Sequence, residues 1–88
     1  MNLLTALKTD LGIVATDYDE RLNQYLTVAK QEITREGATL DESVDSDAQL
    51  IVMYASWMWR RRDTGEGMPR MIRYALNNRV FSEKMAEV

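Results

Sequence analysis

The side chains best equipped for chemistry in this sequence are carboxylates, arginines and indoles, because histidine and cysteine are both absent. Their absence excludes imidazole acid–base catalysis, thiolate chemistry, disulfides and the usual zinc sites together. Two groups of acids remain, Asp17, Asp19 and Glu20, then Asp41, Glu42, Asp45 and Asp47. A close pair could trade a proton or hold a cation. The first group, however, sits where helix N-termini belong, and the second lacks the Asp-x-Asp-x-Asp-Gly order and the turn glycine of a calcium loop. Both groups read as solvated caps and loop, so no catalytic, metal-binding or cofactor-binding residue is assigned.

Arg60, Arg61 and Arg62 follow directly on Trp57 and Trp59. Guanidinium groups pair with phosphates and an indole can stack on a base, so this is the strongest local case for nucleic acid. Adjacent residues on a helix nevertheless point about 100° apart, and three of them make no stripe. A charge cluster at a helix end, with one member paired to an acid of a neighbouring subunit, is the simpler reading. The stretch from Met53 to Trp59 suggests core packing before a cofactor pocket. Trp57 and Trp59 lie about 200° apart on a helix, so only one is expected to face the inside and the other becomes a protein-interface candidate. Gly65-Glu66-Gly67 is too short for a phosphate cradle and follows no strand.

The elements that must carry these residues are helices. Good helix formers dominate, and one proline and four glycines punctuate the 88 residues. The spacing predicts a first helix over Leu3–Leu11 on Leu4, Leu7 and Leu11, stopped at Gly12. A second starts near Thr16 or Asp17, with Asp17 and Glu20 as a capping box, and buries Leu22, Tyr25, Leu26, Ala29 and Ile33 until Gly37. Leu40 and Val44 are expected to plug the acidic loop that follows. Ser46, boxed with Gln49, should cap a third helix that is apolar at nearly every position from Ala48 to Trp59 and is closed by the three arginines. Pro69 opens a fourth helix with Ile72, Ala75 and Leu76 inside. After Asn77-Asn78, the segment with Val80, Phe81 and Met85 either continues that helix or waits for a partner. The reading is therefore all-α, a small bundle of about four helices with a central apolar third helix. It makes one domain, residues 1–88, whose tail 78–88 could order only on assembly.

A third helix with so much apolar circumference implies a second polypeptide. The protein-interface candidates are Trp57, Trp59, Arg60, Arg61, Arg62, Val80, Phe81 and Met85. The start Met1-Asn2-Leu3-Leu4 predicts no secretory signal, and no run approaches the ~20 residues of a membrane span, so no membrane partner is expected. A net charge of −3 argues against a surface built as a whole to hold nucleic acid.

The order of segments resembles the small head-tail connector, or adaptor, proteins of long-tailed double-stranded DNA bacteriophages. The likeness spans almost the whole chain. It rests on the opening helix with Leu7 and Leu11, Tyr18-Asp19-Glu20-Arg21-Leu22 leading a helix with Ala29-Lys30-Gln31-Glu32-Ile33, the apolar run from Asp47 to Trp57 ending in Arg60-Arg61-Arg62-Asp63, and a last helix with Pro69. The resemblance implies a structural virion-assembly protein that catalyses nothing and uses no cofactor. It implies a homo-oligomeric ring, commonly twelve-fold, docked on the portal protein and offering a platform to a head-closure or tail-completion protein. DNA would only pass through the lumen. Such a protein belongs to the virion neck at the portal vertex, and to the host cytoplasm before assembly. The rival reading is a small helical DNA-binding regulator, with Arg70, Arg73, Asn77 and Asn78 on a recognition helix, although the loop from Asp63 to Met68 is longer than the usual turn.

Overall fold

The computed structural model describes residues 2–65 and 67–86. Within them the chain forms α1 (Leu3–Leu11), α2 (Asp19–Arg35), α3 (Asp45–Thr64) and α4 (Arg70–Ala86), with no strand among the described residues. None of these helices is long and apolar enough to cross a membrane.

The ends of α1 are set by local chemistry. Asn2 Oδ1 accepts the amide of Thr5 at 3.0 Å, and Gly12, at φ 72°, turns the chain so that the Ile13 amide reaches Lys8 O at 2.9 Å. That bond and the Gly12 amide on Thr9 O make a Schellman closure, which satisfies the carbonyls a helix end leaves open. In α2, Leu22, Leu26, Ala29 and Ile33 form the buried stripe. The helix starts later than the capping-box pattern predicts. Tyr18 occupies the N-cap without a side-chain bond, and Asp19 turns to Lys8 Nζ at 2.7 Å, tying α2 to α1.

In α3 the expected Ser46 cap is also corrected. Val44 is the N-cap in extended conformation with no side-chain bond, and Asp45 and Asp47 supply the negative charge of the first turn. The helix runs through the arginines to Thr64 and stops at Gly65, whose φ of 67° suits a left-handed closure. Ten of its residues are buried. They are covered within the single chain, because α1, α2 and α4 each pack against α3. Leu40 leans on the core, but Val44 stays exposed, so only one of the two expected plugs is seated.

The carbonyl of Pro69 accepts from Ile72 and Arg73 as α4 begins. Ile72 and Leu76 are buried, and Ala75 and Val80 pack partly against the core. Of the two courses left open for the tail, residues 78–86 take the helical one; 87 and 88 lie outside the described residues.

Candidate protein-interaction surface

Both tryptophans are inside, each 9% exposed, which corrects the expectation that one must stay on the surface. Two separate lids explain how so slim a bundle covers both. Trp57 donates its indole N–H to Gly67 O at 3.1 Å, holding the loop before α4 against α3. Tyr54 meets its ring edge-on with centroids 5.5 Å apart, and the Arg61 guanidinium lies 4.7 Å above it. On the other side of α3, Trp59 is packed edge-on by Tyr18 and Tyr25 at 5.5 and 5.7 Å. Arg62 stacks 3.7 Å over it and donates to Trp59 O at 2.6 Å. A planar guanidinium covers an indole while keeping its own edge wet.

The triple arginine is therefore spent largely within the chain. Arg60 reaches back to α1, with Nη2 3.4 Å from Asp10 O and 3.5 Å from its carboxylate. These contacts give the three side chains, all still exposed, a use within the chain as lids and a strap.

Among the described residues, no three acids converge as a metal site would require. The second acidic group nevertheless differs from the solvated loop expected of it. Asp47 is buried and forms the heart of a clasp. Its carboxylate accepts Arg79 Nε at 2.7 Å, Arg79 Nη2 at 3.3 Å and the Asp41 amide at 2.9 Å. Arg79 also donates to Glu83 at 3.0 Å and to the carbonyl of Thr39. One guanidinium thus joins α3, α4 and the connection before α3, a use of its fork that lysine could not copy. The Arg79 hydrogen bond, with help from Thr39, holds Glu83 below the usual carboxylate range. The Ser43 hydroxyl and amide do the same for Asp41.

Of the remaining interface candidates, Val80 faces inward, beside Gly37, where an added Cβ would lie 3.5 Å from Val80 Cγ1. Phe81 and Met85 face outward and are mostly exposed, and so are Met71 and Tyr74, which sequence reasoning had not singled out. These four, with exposed Asn78 between them, fall alternately three and four residues apart along α4, which places them on one stripe opposite Ile72 and Leu76. Other exposed large apolar residues, Val14, Tyr18, Val28 and Val44, are scattered over separate elements. An apolar depression of about 200 Å³ opens beside Met71, lined also by Met53, Ser56, Trp57 and Ile72. It is smaller than the roughly 300 Å³ at which small-molecule sites begin. Wider hollows of about 320, 450 and 590 Å³ lie beside Arg21 and Arg62, beside Lys30 and Glu42, and beside Gln24 and Gln31, so what sets α4 apart is the alignment of its exposed apolar side chains.

The alternation was present in the sequence, but Asn77-Asn78 reads as a break when taken alone. With one helix running through it, Asn78 becomes a member of the stripe.

A family model described as phage gp6-like head-tail connector protein matches residues 1–84, nearly the whole chain. Neither a search of curated proteins nor one of solved structures finds a match.

Proposed function

This chain belongs to the phage gp6-like head-tail connector proteins, and from that premise we propose that it is the subunit of a ring between the portal and the next neck or tail protein. The role is structural, and no residue is asked to perform catalysis. The single observation that supports a docking protein is the outward stripe of α4, where Met71, Tyr74, Phe81 and Met85 are each more than half exposed. Large apolar side chains aligned on one face mark a surface that meets another protein. The apolar surplus first attributed to α3 is satisfied internally, so the contact surface moves to α4.

In the ring, copies would surround the DNA path, and a chain of net charge −3 would let the polyanion slide without gripping it. Twelve copies would match a portal of that symmetry. The protein would then be a component of the virion neck, made in the host cytoplasm before it docks.

The test is direct. Particles assembled with and without the chain are compared by electron microscopy, and the pure chain is sedimented with its portal. Added density below the portal and a co-sedimenting complex are expected. A neck of unchanged mass, with no complex under conditions where the portal binds another neck protein, refutes the reading.

The DNA-regulator alternative fares less well on the same geometry. Arg73 is held by Glu36 at 3.1 Å, and the side of α4 that carries Asn78 carries the apolar stripe too, where a recognition helix needs groups that reach base edges.

A further inference from the structure

The chemistry of what lies against α4 can be read from the residues beside the stripe. Met71, Tyr74, Asn78, Phe81 and Met85 repeat with the alternating spacing of a coiled-coil seam. Along one flank, Arg70, Asn77 and Lys84 repeat every seven residues and are all exposed. The helix as a whole carries Arg70, Arg73, Arg79 and Lys84 against the single acid Glu83, in a chain that is acidic overall. Two of these cations are committed inward, Arg73 to Glu36 and Arg79 to Asp47 and Glu83. Arg70 and Lys84 have no ion-pair partner among the described residues. The face therefore presents a narrow apolar seam edged by two unpaired positive charges.

We propose that this seam receives an amphipathic helix of a different neck protein, with apolar residues at the same alternating spacing and Asp or Glu facing Arg70 and Lys84. The connector reading is needed only to say that the partner is a virion protein; the chemistry of the partner comes from α4 itself. A second copy of the chain is the poorer occupant. Two α4 helices packed antiparallel bring Arg70 against Lys84 of the other copy, a like-charge contact, and packed parallel they set Arg70 beside Ala75, which offers no anion. Among the described residues no other helix supplies a matching stripe: the outward side of α2 is Glu20, Gln24, Thr27, Val28 and Gln31, with one apolar member, and the other exposed large apolar residues are scattered. Asn78, in mid-seam, favours a partner that places a polar group opposite it and so sets the register.

The experiment uses the full chain and two synthetic three-heptad helical peptides with leucine at the seam positions, one flanked by glutamates and the other by lysines. Each peptide repels itself and stays single. The glutamate peptide should bind, more weakly as salt is added, and the lysine twin should bind at least about tenfold more weakly. The double variant Arg70→Glu, Lys84→Glu should reverse that preference. Phe81→Ser, at a side chain with no interior role, should abolish binding while circular dichroism stays unchanged. Equal binding of the twins, binding of neither, or a preference unmoved by the charge reversal overturns the proposal. So does self-association of the chain that Phe81→Ser removes, or a duplex oligonucleotide that displaces the glutamate peptide at lower concentration. Mass spectrometry of purified particles separates this inference from the one it builds on. If the chain is present in particles but the twins bind alike, the seam chemistry falls and the connector role stands; if it is absent from wild-type particles, the connector role falls.

Discussion

Replacing Arg79 with methionine should cost this protein a large part of its stability, because the change strands a buried anion. Asp47 is 3% exposed and holds three donors, of which two come from Arg79. After the substitution, its carboxylate keeps only the Asp41 amide. Breaking a buried ion pair from one side typically costs about 3–5 kcal/mol. The Arg79 side chain is itself 24% exposed, so water can partly replace it, and a discounted loss of about 2–3 kcal/mol is appropriate. In a domain this small that is a drop in melting temperature of roughly 10–20 °C, and it approaches the whole net stability of ~3–5 kcal/mol that one core of this size supplies. The assay is thermal and urea unfolding followed by circular dichroism on Arg79→Met, Asp47→Asn and the double variant. The double variant should be more stable than the two single losses add up to, since removing both charges leaves none buried alone. A loss below about 0.5 kcal/mol for Arg79→Met, the level of an ordinary surface change, or strict additivity in the double variant, would refute the reasoning.

Acid should loosen the same clasp: Glu83 and Asp41 are held below their ordinary values, so their contribution is full above about pH 4.5 and is lost as pH falls through the folded-state values. The melting temperature should fall on titration below that point, and Glu83→Gln combined with Asp41→Asn should flatten the fall. Both indoles should resist quenching by iodide in the native protein and become accessible together on unfolding. Trp57→Phe, which loses the bond to Gly67 O, should lower stability by about 1–2 kcal/mol, measured by the urea midpoint. Leu22→Ala, at a side chain with no exposure, should cost about 2–5 kcal/mol by the same measurement.

What could be read in advance was whatever depends on neighbours along one helix. The bounds of α1 follow from three leucines and Gly12, and the buried side of α2 follows from Leu22, Leu26, Ala29 and Ile33. The all-helical class follows from composition and these stripes. What could not be read depends on partners far away in the chain. Asp47 looks like one more solvated acid until Arg79 is found beside it, and Trp59 looks too large to hide until Tyr18, Tyr25 and Arg62 are seen to close over it. Periodicity within α3 says how much apolar surface needs cover and nothing of how much cover other elements bring. The expected caps at Asp17 and Ser46 failed too: the helices begin at Asp19 and Asp45, behind Tyr18 and Val44, which make no side-chain cap bond. The outward side of α4 was legible in principle, and it was hidden only because the course of the chain after Asn77-Asn78 was left open.

The side chains on that outward face lie mostly in solvent. Met71, Tyr74, Phe81 and Met85 can be exchanged at little thermodynamic cost, since substitutions away from packed or paired groups usually move stability by less than about 0.5 kcal/mol. Architecture and affinity are thereby kept on opposite sides of one helix. A descendant of this protein can acquire a new binding preference through a handful of codons while inheriting its scaffold unaltered, provided Ile72, Leu76 and Arg79 on the reverse side are left in place.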